Sequence, residues 1–137
     1  MIRASGIRKS FGPLQVLKGV DLDVKAGEVV AIAGPNASGK TTLIKSILGL
    51  VKPDAGTILV DGRDALGGWE HRRLIGYMPQ MARFPENLSG DELVSFIASI
   101  RGGGARPDPS LLESLRLNGQ MRKPLGTLSG GTRQKIR

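Results

Sequence analysis

An α/β chain is predicted, with a parallel sheet around a phosphate loop, a small antiparallel β subdomain and an α-helical subdomain. Three observations point there. The run "EVVAIAG", residues 28–34, is short, continuous and apolar, which suits a strand buried on both faces and hence a parallel sheet. A glycine-rich loop, "GPNASGKT" at 34–41, leads from that run into "KTTLIKSILGL" at 40–50, where Leu43, Ile44, Ile47 and Leu48 recur at helical spacing. Beyond residue 80 the pattern turns from strand-rich to helical, dividing the chain into a core with β subdomain, 1–80, and a helical subdomain, 81–137.

Taken in order, residues 2–8 and 14–24 cluster β-formers between the turn signals "FGPL" and "KAGE", and predict two short antiparallel strands. The helix over 40–50 is ended by Gly49 and Pro53. "GTILVDG", 56–62, is a further strand closed by an Asp-Gly turn, and "LIGYMP", 74–79, another stopped by Pro79. In the second half, Ser89 and Glu92 form a capping box ahead of "ELVSFIASI", and Asp108 with Pro109 caps "SLLESLRL" before Asn118-Gly119.

Composition narrows the chemistry. The absence of cysteine excludes disulfides and thiolate metal sites, and a lone histidine argues against a histidine-based metal centre. No apolar stretch reaches the roughly 18 residues of a membrane span, so a membrane role has to come through a partner. The net charge of +8 is concentrated after Glu113, where six basic residues face no acidic one. Such clustering is expected when acidic partners lie elsewhere in a longer chain, and no nucleic-acid partner is expected. His71, beside Arg72 and Arg73, reads as solvated.

The loop 34–41 matches G-x-x-x-x-G-K-[ST] between a strand and a helix, the context that gives this motif its meaning. Glycines let successive N–H groups curl inward around a polyphosphate, and the helix opening at Gly39 adds its positive dipole end. Lys40 is placed for β- and γ-phosphates, and the Thr41 hydroxyl suits a Mg²⁺ ligand. Gly34, Pro35, Asn36, Ala37, Ser38, Gly39, Lys40, Thr41 and Thr42 are thus the candidate nucleotide-binding residues. Ala37 would be costly if its position needs positive φ.

Four segments in order, "SFG" at 10–12, "GPNASGKTT" at 34–42, "YMPQ" at 77–80 and "LSGG" at 128–131 followed by Gln134, give the whole chain a resemblance to the nucleotide-binding domain of ATP-binding cassette (ABC) transporters, a phosphate-loop NTPase. By that resemblance Phe11 stacks on adenine and Val16 lines its pocket. Gln80 meets Mg²⁺ or the attacking water and relays toward the membrane subunit. Ser129, Gly130 and Gly131 are implied to hold a phosphate of ATP bound by the opposite subunit, since Ser129 can cap a helix whose first amides the two glycines leave uncovered. The resemblance further implies ATP and Mg²⁺ as cofactors, a second cassette bound head to tail, a transmembrane permease as partner, and a cytoplasmic place against the membrane. The similar "LSG" at 88–90 is followed by Asp91 and Glu92, which repel phosphate, and Ser89 receives no nucleotide role. The stretch "GYMPQMARFPENLSG" is similar to exporter cassettes, including the type serving copper supply and nitrous oxide reductase maturation.

In the family an apolar strand ending in Asp-Glu, an aspartate-bearing loop and a switch histidine follow the signature. None of these occurs within residues 1–137, and His71 precedes the signature. The chain is therefore expected to be the N-terminal portion of a cassette, with an open sheet edge, poor solubility and no hydrolysis by itself.

Overall fold

The computed structural model describes residues 1–79, 84–103 and 108–136. Two compact units divide it, Met1–Gly76 and Tyr77–Arg137.

The first unit is built on a hairpin of β1 (Ile2–Phe11) and β2 (Leu14–Val24), antiparallel from Ile2↔Val24 to Phe11↔Leu14. Strand β3 (Ala55–Val60) lies antiparallel on the other side of β1, and β4 (Arg63–Asp64) continues from β3. The sheet order is β2-β1-β3-β4. Asp61 and Gly62 both take positive φ, 50° and 76°, in the two-residue turn between β3 and β4. That backbone matches the twist of the strands it joins, which is why an Asp-Gly pair stands there.

Helix α1 (Lys40–Ile47) buries Leu43 and Ile47, one turn apart, in a core with Ala4, Ile7, Leu17, Ile58, Val60 and Ala65. Its C-terminal carbonyls are satisfied from a distance: the Arg72 guanidinium donates to the Leu48 oxygen at 3.0 Å and to the Gly49 oxygen at 2.8 Å.

Three expectations are corrected here. Residues 28–34 form no strand, and Val29 is 97% exposed. The one sheet among the described residues is antiparallel, so the parallel sheet expected around that run is not formed by them. A strand buried on both faces depends on neighbouring strands for its backbone hydrogen bonds, and no described strand pairs with this run. Residues 74–79 likewise form no strand, although Ile75 packs against the core. His71 is buried, 1% exposed, not solvated. The 3₁₀ turn Glu70–Leu74 separates the three basic-looking neighbours, turning His71 inward and leaving Arg72 and Arg73 exposed. Neither imidazole nitrogen has a hydrogen-bond partner among the described residues.

The second unit is helical: α2 (Gly90–Ile100), α3 (Pro109–Ser114) and α4 (Gly130–Ile136). Its core gathers Leu93, Leu125 and Leu128, with Phe84 and Ile136 against them. Both predicted caps form. Ser89 Oγ accepts the Glu92 amide while the Glu92 carboxylate accepts the Ser89 amide at 2.8 Å, and Asp108 accepts from the Ser110 amide at 2.9 Å. Two amides of the segment before α4 donate back to the segment before α2, Leu125 to the Leu88 oxygen and Gly126 to the Glu86 oxygen, each at 2.8 Å.

Candidate nucleotide-binding site

The loop from Gly34 to Ser38 is exposed, and it ends on Gly39, which is buried at the start of α1. Gly39 has φ 92°, and a Cβ built on it would lie 2.9 Å from Leu17 Cδ2, 3.1 Å from the Val16 carbonyl oxygen and 3.2 Å from Val16 Cγ1. Both backbone angle and space therefore demand glycine at this position. The cause lies in β2. Pairing shifts by one residue between Lys9↔Leu17 and Ser10↔Gln15, so Val16 is the extra residue of a bulge and presses against the beginning of the helix.

Lys40 turns back over the loop. Its ammonium donates to the Gly34 oxygen at 2.8 Å and the Pro35 oxygen at 2.6 Å, with Ser38 Oγ at 3.5 Å. The loop thus curls round the lysine, helped by Ala37 at φ 63°. The condition under which Ala37 is costly is met, since a left-handed non-glycine residue costs about 1–2 kcal/mol. No acidic residue stands in the first turn of α1, and the Gly39 cap has no side-chain bond. An inward-turned ammonium, a glycine with no room for a side chain and a helix opening free of carboxylates suit a polyphosphate chain. Thr41 is exposed beside them and can offer its hydroxyl to a cation held by that chain. Among the described residues no group of three or more His, Cys, Asp or Glu side chains could bind a metal alone.

Phe11 ends β1 with its side chain half exposed, on the same hairpin as Val16. Two neighbours not named by any motif attend it. The Lys9 ammonium sits 5.4 Å from the centre of the Phe11 ring and pairs with Asp54 at 2.7 Å. The signal for Lys9 was present in the alternation of β1, where residues two apart share a face. Asp54, brought in by the start of β3, had no such local sign. Gln80 lies outside the described residues.

Ser129, Gly130 and Gly131 belong to the second unit. Ser129 Oγ accepts the Thr132 amide at 3.2 Å and caps α4, whose first turn carries no acidic residue. The contrast with α2 is chemical: there Glu92 occupies the capping serine and Asp91 stands beside it.

These features define a phosphate-loop nucleotide-binding chain. The chain belongs to the ABC transporter family, whose model matches residues 17–137. It is 38% identical to a sulfate/thiosulfate import ATP-binding protein of Methylococcus capsulatus, in an alignment covering 98% of this chain and 41% of that protein. Among solved structures it is similar to an ATP-binding subunit of an ABC transporter, with a TM-score of 0.87 and 30% identity over 99% of this chain and 59% of the other. A dimeric bacterial ABC transporter cassette matches with a TM-score of 0.80 and 27% identity, over 99% of this chain and 66% of that cassette. The chain spans less than half the length of the curated sulfate/thiosulfate relative.

Proposed function

We propose that residues 1–137 supply the nucleotide-binding part of an ABC transporter ATPase subunit that couples ATP to transport through a separate membrane permease. The observation that carries this reading is the Lys40 ammonium drawn over the loop carbonyls of Gly34 and Pro35 above a sterically required Gly39. On this reading Lys40 releases those carbonyls for β- and γ-phosphate oxygens, Gly34 to Thr42 wrap the phosphates with backbone amides, and Thr41 gives its hydroxyl to Mg²⁺. Phe11 and Val16 receive the adenine.

Ser129, Gly130 and Gly131 are assigned to a phosphate of ATP on a second cassette, and Gln80 to the metal or attacking water and to the permease. The dimeric cassette among the similar structures supports pairing with a second cassette, which we take to be head to tail. Hydrolysis requires an acid that orients water, and we assign that role to no residue of 1–137. The permease would hold the subunit at the cytoplasmic face. The relative's name points to oxyanion import, and the stretch after Gly76 to exporters of the copper type; the permease decides between them.

Lys40→Ala is the test. Binding of MgATP, measured by calorimetry on the protein, is expected to weaken at least tenfold, the loss of a charge-assisted contact of about 1.5–3 kcal/mol. Unchanged affinity would overturn the assignment of the loop.

A further inference from the structure

The end of β1 carries more than an exposed aromatic ring. Lys9 and Phe11 lie two residues apart on one strand, and the Lys9 side chain is only 17% exposed although it is charged. Asp54 fixes it. One Asp54 carboxylate oxygen accepts the ammonium at 2.7 Å, the other accepts the Ser10 amide at 2.6 Å, and the Asp54 amide donates to the Arg8 oxygen at 2.8 Å. Three bonds thus tie one acidic residue to three consecutive residues of β1, at the place where the bulge interrupts pairing with β2. From that anchor the ammonium reaches 5.4 Å from the ring centre, inside the roughly 6 Å range over which a cation is held by an aromatic face.

A surface ion pair alone adds little to stability. Here the ring is half exposed while the cation beside it is held by an anchored carboxylate, which suits a flat platform set at a defined angle. We propose that Lys9, anchored by Asp54, is a positioning residue that holds the Phe11 ring as a stacking platform for the nucleobase of the bound nucleotide. This rests on the reading of Phe11 as the residue that receives the base. Stacking on a ring whose rotamer is already fixed gives up less side-chain freedom when the base arrives. The carboxyl of Asp54 is held below its usual range, first by the Lys9 ammonium and then by the Ser10 amide, which keeps the anchor charged.

Affinities for MgATP and for magnesium tripolyphosphate, which has no base, separate the roles. Phe11→Ala is expected to weaken MgATP about tenfold and to leave tripolyphosphate unchanged. Lys9→Met keeps the packed stem and removes the charge; it should weaken MgATP about two- to fivefold with tripolyphosphate again unchanged. Lys9→Arg should restore ATP binding. If Phe11→Ala lowers ATP affinity while Lys9→Met does not, Lys9 has no positioning role. Equal loss of both ligands in Lys9→Met, even with Lys9→Arg intact, would reveal a general structural or electrostatic effect and overturn the proposal. If Phe11→Ala leaves ATP unaffected, the reading of Phe11 itself fails.

Discussion

At Gly39 two independent constraints meet in one residue. The left-handed φ of 92° disfavours most side chains on backbone grounds, and a Cβ placed 2.9 Å from Leu17 Cδ2 and 3.1 Å from the Val16 oxygen would crowd both. Leucine can move, but the Val16 carbonyl belongs to the bulged strand and cannot yield without disturbing its pairing. Gly39→Ala is therefore expected to destabilise the first unit by about 1–3 kcal/mol, combining backbone strain with overpacking. The melting temperature should fall and MgATP affinity with it, because the same shift moves the first turn of α1. A parent-like melting curve with parent-like affinity would show that the contact relaxes freely. Ala37 is the opposite case, an L-residue kept at φ 63° where glycine would cost nothing locally. The strain is tolerated one residue before Ser38, whose hydroxyl lies by the Lys40 ammonium.

Helix α2 shows what a cap does for a whole element. Ser89 and Glu92 exchange hydrogen bonds, and the Glu92 carboxyl is held below its usual range, first by the Ser89 amide and then by its hydroxyl. A carboxyl lowered in the fold stabilises above its ordinary range, and the contribution disappears as pH falls through its lower folded value. Ser89→Ala should cost about 1 kcal/mol of stability at neutral pH. The difference between variant and parent should shrink in acid, as Glu92 takes up a proton in both; melting curves at neutral and acidic pH give both numbers. A deficit independent of pH would mean that the carboxylate does not share in the cap. Such caps were legible in the sequence because their partners stand three residues apart, and so was α1, whose apolar spacing and buried face coincide. The interior place of His71 was not legible. It depends on a 3₁₀ turn packing near Gly49, where a Cβ would come within 3.2 Å of the imidazole, and that proximity joins residues distant along the chain.

Across the whole molecule, legibility follows the range of the interactions. The β1–β2 hairpin and the strand entering the Asp-Gly turn are local structures and were read from the sequence, as was the loop from Gly34 to Thr41, whose motif is continuous. The strand expected at 28–34 needs partners remote in sequence, and its apolar pattern records a burial that the described residues do not provide. Val29, Val30 and Ile32 are instead all exposed, within four residues, directly before the phosphate loop. Short β-prone segments with unpaired backbone and little charge pair readily with copies of themselves. Aggregation of the chain should therefore rise with concentration and start from this segment. Val29→Lys places a charge at a side chain that is 97% exposed and loses no contact in the fold. It should raise the soluble fraction, measured by sedimentation after mild warming, while leaving the melting temperature of the remaining monomer unchanged. If solubility stays the same, association begins elsewhere, and the exposed Phe96, Ile97 and Ile100 of α2 become the next face to charge. If solubility rises and the monomer also melts lower, the substitution acts on the fold itself and the gain does not belong to this segment alone.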